Sequence, residues 1–251
     1  MLIKQSVWIT PYQTERLLHI YVPDNCTKDN PCAVLYMFDG HNLFLDEDAT
    51  YGQCWGIKDF LDENQLNLMV VGLECNHEGN ERLSEFTPYP FDDEPWGYIP
   101  EKGLALIEWM TTELKDFIDS TYPTISDREH TYIGGSSMGG IMSLYMALTH
   151  SDVYSKAVCV SPYIYPMYKS LRKDLGHDMY ENTQVYISWG GREYPTHDIF
   201  AMATDQNLQI IRALMKKPGV DVIPHCFKND YHSESAWKKE VPIWMKDLGL
   251  L

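Results

Sequence analysis

No apolar stretch in this 251-residue chain approaches the length of about 18 residues that marks a membrane-spanning helix. Its opening, Met-Leu-Ile-Lys-Gln-Ser-Val-Trp-Ile, lacks the basic start, long apolar middle and small-residue cleavage site of a secretory leader. A soluble, cytoplasmic protein with no membrane partner is expected. Basic residues are scarce as well, 20 Lys and Arg against 36 Asp and Glu, and the formal charge of −16 would repel a phosphate backbone. Nucleic acid is therefore not an expected partner. The chain has no C-x-x-C, H-E-x-x-H, His-x-His, G-x-G-x-x-G or P-loop pattern, and Asp46-Glu47-Asp48 lacks the glycine and distal glutamate of a calcium loop. No metal and no cofactor are expected. The six cysteines at 26, 32, 54, 75, 159 and 226 are scattered, and most should be small buried hydrophobes. Asn25-Cys26-Thr27 fits a glycosylation sequon, which without a leader should carry no sugar. No linker, repeat or low-complexity tract interrupts the chain, so 1–251 reads as a single domain.

What is present is an alternation of strand and helix. Residues 3–9 and 17–22 alternate in polarity and read as an antiparallel pair. Residues 32–38, 68–73, 130–134, 157–160, 185–189 and 220–227 are mostly continuous apolar runs, the pattern of strands buried on both faces. Helical spacing fills 57–63, 102–120, 141–150, 199–217 and 234–248. The expected fold class is α/β: a mostly parallel sheet with an antiparallel N-terminal meander and helices on both faces. In such sheets ligands bind beyond the carboxyl ends of the strands, which singles out 39–45, 74–100, 136–140, 161–168, 190–198 and 228–233. Lid-like insertions are expected near 74–100 and 161–183.

One of these segments carries a chemical signature. Gly135-Ser136-Ser137-Met138-Gly139 fits G-x-S-x-G between a β-leaning run and a helix-compatible one. A serine hydroxyl is a weak nucleophile unless a strained strand-to-helix turn presents it to a general base, so Ser137 is the candidate nucleophile. Ser136 lacks the second glycine. The bland alternative is a glycine-rich turn whose serines cap a helix. A base should follow the last strand, and His232 does, whereas His225 lies inside it and suits a structural role. An acid should follow the penultimate strand. Glu193, after Gly190-Gly191, is the favoured residue, with Asp198 as the alternative unless it caps the following helix. Backbone N–H groups of Met138 and of His41, or else Gly40, should form the oxyanion hole.

The substrate side is less defined. Segment 74–100 is long, punctuated by proline and rich in aromatic rings, and 161–168 adds Tyr163 and Tyr165. Trp96, Tyr98, Tyr163 and Tyr165, with Asp39, are the expected substrate contacts. Such rings suit an aromatic acyl group or a sugar face, or serve as plain lid packing. A non-catalytic binding protein on the same fold would be missing a catalytic residue, and none is missing here.

Four motifs together, Asp-Gly-His-Asn-Leu-Phe at 39–44, Gly-Gly-Ser-Ser-Met-Gly-Gly at 134–140, Trp-Gly-Gly-Arg-Glu at 189–193 and Tyr-His-Ser-Glu-Ser-Ala-Trp at 231–237, resemble the putative esterase family of α/β-hydrolases. That group includes feruloyl and acetylxylan esterases, enterochelin-type siderophore esterases, the esterase D group and mycolyltransferases. The resemblance spans nearly the whole chain and implies an α/β-hydrolase fold with the triad Ser137, Glu193 and His232. It also implies that residues 82–88 shape the pocket. The context of the histidine departs from that of the esterase D group. The implied activity is hydrolysis of small soluble esters, such as acylated sugars or feruloyl and acetyl esters, with acyl transfer or thioester hydrolysis on the same residues as the alternative. The sequence does not specify an oligomeric state.

Overall fold

The computed structural model describes residues 1–94 and 96–251. The chain runs β1 (Leu2–Ile9), β2 (Thr14–Tyr21), β3 (Ala33–Phe38), α1 (Ile57–Asn64), β4 (Leu68–Leu73), α2 (Glu81–Glu85), β5 (Phe91–Asp93), β6 (Gly97–Ile99) and α3 (Gly103–Trp109). It continues through α4 (Lys115–Thr121), β7 (Thr131–Ser136), α5 (Met138–Thr149), β8 (Lys156–Val160), α6 (Tyr168–Asp174), β9 (Thr183–Gly190), α7 (His197–Leu214), β10 (Val220–Phe227) and α8 (Glu234–Asp247). Eight strands form one sheet in the order β1-β2-β4-β3-β7-β8-β9-β10. β1 pairs antiparallel with β2 and β2 antiparallel with β4, and every later neighbour is parallel. The meander and the parallel sheet are both as expected.

Why the sheet needs helices on two sides follows from the period of two along its strands. In β3, Val34, Tyr36 and Phe38 join one buried cluster while Leu35 and Met37 join another. The first cluster takes in Leu106, Ile107 and Ile118 of α3 and α4, most of the apolar side of α5, and Ile210 and Leu214 of α7. The second takes in Ile57 and Leu61 of α1 with Trp237, Val241 and Trp244 of α8. Each face of the sheet thus has its own core.

Three local features differ from the sequence expectation. The helix expected over 102–120 is broken into α3 and α4 by a π-helical turn, Met110–Leu114. The two lid-like segments have structure of their own: α2 and the β5–β6 hairpin in the first, α6 in the second. Five of the six cysteines are buried, in line with the expectation for most of them, but a pairing was not expected. Cys26 and Cys32 form a disulfide, with Cα atoms 5.4 Å apart, and Cys226 is exposed. Disulfides persist in oxidising compartments and are rare in the cytosol, so this bond pulls against the expected cytoplasmic setting. Among the described residues no helix is long and apolar enough to cross a membrane.

Candidate active site

β7 passes into α5 with only Ser137 between them, at φ +56° and ψ −116°. A non-glycine residue held there costs on the order of 1–3 kcal/mol, so its surroundings must hold it. They do so through the backbone. The Ser137 N–H donates to the Val160 carbonyl at 3.0 Å, and the Ser137 carbonyl accepts from the N–H groups of Ile141 and Tyr163, each at 3.0 Å. The motif glycines permit the turn by close approach: a Cβ on Gly135 would lie 2.8 Å from the Gly139 backbone, and one on Gly139 2.7 Å from Phe38 Cβ. Met138 opens α5, whose first-turn N–H groups have no intrahelical acceptor and carry positive partial charge.

On the neighbouring strand ends, the loops after β9 and β10 are tied to each other. Gly191 N–H donates to the Phe227 carbonyl at 2.9 Å and Arg192 N–H to the Asp230 carbonyl at 3.0 Å. A Cβ on Gly190 would lie 2.3 Å from the Asp230 oxygen, and one on Gly191 2.3 Å from the Lys228 oxygen. Neither glycine has a positive φ. The pair therefore serves close approach of two backbones and not an unusual dihedral before Glu193.

This fastening aligns a carboxylate with an imidazole. Glu193, its side chain 4% exposed, places Oε2 3.4 Å from His232 Nδ1. Its Oε1 accepts from the Gly190 N–H at 2.5 Å and from the Ser161 hydroxyl at 2.6 Å. Ser161 Oγ accepts in turn from Trp237 Nε1–H at 3.0 Å, and the Trp237 ring meets His232 edge to face with centroids 5.0 Å apart. Ser161 itself has a positive φ of 46°. Sequence reasoning missed Ser161 as a partner of the acid, and the structure gives Trp237 its role as well. The available signals were the strand-end position of the first and the 231–237 motif containing the second.

The two alternatives to these residues lie elsewhere. Asp198 is fully exposed on the first turn of α7, whose cap is Thr196, accepting from the Ile199 N–H at 3.3 Å. His225, within β10, pairs with Asp247 at 2.7 Å and stacks on Phe227.

Ser136, Ser137, Met138, Glu193 and His232 all line one cavity of about 970 Å³. Ser137 and His232 face this shared space without a direct hydrogen bond, and catalytic contacts of this type often tighten only when substrate is bound. On the far side, Gly40, His41 and Asn42 form a short helical turn after β3. Gly40 is packed so closely on Gly72 of β4 that a Cβ would lie 2.3 Å from the Gly72 oxygen, which seats His41 at the cavity. The His41 ring is buried; burial lowers its proton affinity despite the nearby Asp39 charge. His41, Cys75 and His77 also gather their donor atoms within 4.8 Å of one another on this wall.

Asp39, expected to contact substrate, lines the cavity and is also paired with Arg82. Both carboxylate oxygens accept from the Arg82 fork, each at 2.7 Å. Burial alone would raise the Asp39 carboxyl, but the Arg82 charge and its two hydrogen bonds outweigh that and hold it below the usual carboxylate range. Its role is to anchor α2, and with it the first insertion, against the end of β3. Glu234, unforeseen from the sequence, lines the cavity at the start of α8, and burial pushes its carboxyl up.

Of the aromatic candidates, Trp96, Tyr163 and Tyr165 line the cavity and Tyr98 does not. Tyr98 points outward from β6 with 67% of its surface exposed, because the short β5–β6 hairpin turns one side to solvent. Tyr163 is the hub of this wall: it meets Phe91 and Trp96 edge to face, centroids 6.2 Å away in each case, and its hydroxyl donates to Asp93. Thr50, Tyr51 and Gln53 complete the rim from the loop that follows Asp46-Glu47-Asp48.

The same fold occurs in solved structures. The chain is similar to an IroE-like serine hydrolase from Shewanella oneidensis, with a TM-score of 0.76 and 16% identity over 98% of this chain and 81% of that one. It is similar to a ferulic acid esterase, with a TM-score of 0.69 and 17% identity over 100% and 99%. It is also similar to the siderophore hydrolase EstA from Aspergillus nidulans, with a TM-score of 0.71 and 13% identity over 98% and 94%. At these identities the likeness concerns the fold. The family model described as Putative esterase matches residues 10–247, almost the entire chain. With that match added to an elbow serine at the carboxyl edge of an α/β-hydrolase sheet, the chain belongs to the Putative esterase family and is a carboxylic ester hydrolase.

Proposed function

We propose that hydrolysis proceeds through an acyl-enzyme on Ser137, with His232 as general base and Glu193 as the carboxylate that orients it. The observation that carries this reading is the Glu193–His232 contact of 3.4 Å opening onto the cavity that also holds the elbow serine. His232 takes the hydroxyl proton as Ser137 Oγ bonds to the ester carbonyl carbon, and the electron pair of the carbonyl moves onto its oxygen. The Met138 and His41 N–H groups receive that oxyanion, with Gly40 N–H as the alternative second donor. Collapse expels the alcohol, which takes the proton from His232, and a water then repeats the sequence to free the acid and the serine. Glu193 stays ionised and stabilises the imidazolium. This chemistry calls for no cofactor and no metal.

The substrates we assign are small soluble esters whose acyl or alcohol part presents an aromatic or sugar face to Trp96, Tyr163 and Tyr165. A cavity of about 970 Å³ has room for both halves of such an ester. Acyl transfer to an alcohol uses the same residues and differs in the acceptor.

Ser137→Ala should abolish turnover of p-nitrophenyl and feruloyl esters while leaving the melting temperature close to that of the parent, and Ser136→Ala should keep most activity. Fluorophosphonate labelling should fall on the Ser137 peptide. Labelling of a different residue, or an active Ser137→Ala protein, would refute the assignment. Assays with added alcohols separate hydrolysis from transfer.

A further inference from the structure

His41, Cys75 and His77 come from two different strand ends, and each turns a ring nitrogen or sulfur toward the same point. Their donor atoms lie within 4.8 Å of one another, and Cys75 Sγ is 3.9 Å from His77 Nδ1. Each histidine has its second nitrogen already engaged. His41 Nε2 meets Thr50 Oγ1 at 3.0 Å, and His77 Nε2 meets Glu74 Oε1 at 2.8 Å. With Nε2–H donated outward, both rings present the Nδ1 lone pair inward, that of His77 toward the Cys75 thiol. His41 Nδ1 is buried and has no hydrogen-bond partner among the described residues, on a residue only 5% exposed.

That combination is unusual for a site without a further occupant. A buried ring nitrogen left unpaired is costly, and metal-binding histidines characteristically have the other nitrogen fixed by a carboxylate, hydroxyl or carbonyl. Glu74 is itself fixed from behind, since its Oε2 meets His19 Nε2 at 2.8 Å. The Glu74 carboxylate adds negative charge beside the triangle, which favours a cation, whereas that of Asp39 is matched by Arg82. None of the three residues has a part in the proposed acyl transfer except for the backbone N–H of His41.

We propose that His41, Cys75 and His77 form a binding site for one Zn²⁺ ion on the cavity wall opposite Glu193. Two imidazoles and one thiolate match the donor preference of zinc and leave the fourth tetrahedral position to water. Binding replaces the thiol hydrogen: the Cys75 S–H proton passes to solvent as the sulfur–zinc bond forms, and no electron transfer is involved. The sharing of His41 places the ion next to an oxyanion donor, although the site is independent of whether Ser137 is the nucleophile.

Co²⁺ added to the metal-free protein is the direct probe, since a cobalt–thiolate bond gives a near-ultraviolet charge-transfer band and tetrahedral cobalt absorbs strongly in the visible. One equivalent should produce both signals, and Zn²⁺ should displace them stoichiometrically. Cys75→Ser should lose the charge-transfer band. Because Cys75 is buried, His77→Ala at an exposed position provides a second variant, and it should weaken cobalt binding at least tenfold with the melting temperature of the metal-free protein preserved. Absence of a charge-transfer band in the parent would overturn the site, as would a band of equal affinity in His77→Ala. These readings do not pass through ester turnover, so they stand or fall separately from the esterase mechanism.

Discussion

The cavity has two walls built in different ways. The wall carrying Glu193 and His232 is fastened backbone to backbone, and its Glu193 carboxylate has a partner for each oxygen. A second wall, from the β5–β6 hairpin to Tyr163, rests on edge-to-face rings and on a side-chain hydrogen bond from Tyr163 to Asp93. Backbone fastening leaves little room for alternative positions, whereas ring packing tolerates exchange of one apolar shape for another. The first wall suits chemistry, which needs fixed distances, and the second suits selection among substrates.

If that division is right, the two walls should respond differently to substitution. The largest effect should come from Glu193→Gln, which keeps the shape and removes the charge that supports the imidazolium. Turnover should fall by about 10⁴-fold with KM little changed. A change in KM alone would move Glu193 from the catalytic wall to the binding one.

Beneath the catalytic wall, Glu240 of α8 is 2% exposed and accepts from the Tyr186 hydroxyl at 2.9 Å. Burial pushes its carboxyl from 4.5 up to about 7; the hydrogen bond from Tyr186 resists this and the Glu193 and Asp230 charges add to it. Between those two values the folded chain holds a proton that the unfolded chain has lost, so stability falls as pH rises through the window. The loss should be on the order of 1–3 kcal/mol. Glu240→Gln should flatten this dependence relative to the parent in denaturant titrations at several pH values, and an unchanged slope would show that Glu240 does not hold that proton.

A smaller effect is expected from Ser161→Ala, which takes one hydrogen bond from Glu193 and leaves Trp237 Nε1–H without its acceptor. Loss of a bond to a charged group predicts about a tenfold drop in kcat, and an unchanged kcat would show that Glu193 does not need the Ser161 hydroxyl. Smallest in rate but most informative about the second wall is Trp96→Ala. Ester ranking by acyl or alcohol group should change about threefold to tenfold, the scale of one stacked ring. A uniform decrease over all esters with a lower melting temperature would make Trp96 ordinary packing.

The same contrast explains what could be read from the sequence. The elbow was legible because a sharp strand-to-helix turn needs glycines at fixed offsets around Ser137, and the strand-end rule then limited the base to one histidine beyond the last strand. The sheet was legible because its strands are nearly unbroken apolar runs. Tyr98 was misjudged because the side on which a hairpin residue falls depends on a register that composition does not reveal. The pairing of Asp39 with Arg82 was not legible because Arg82 arrives from a different segment. The triangle of His41, Cys75 and His77 has no spacing signature either, since it exists only once β3 and β4 lie side by side.

The position of β10 has a consequence for the timing of activity. It is the outermost strand of the parallel side and the last to be made, and His232 follows it. A chain emerging from the amino end delivers its nucleophile well before any base can reach it, and α8, which supplies Trp237, comes later still. Long-range parallel pairing of this kind is slow to form. On the proposed mechanism an incomplete or half-folded chain is chemically silent, and recovered turnover during refolding reports the docking of the final strand and helix instead of the formation of the elbow.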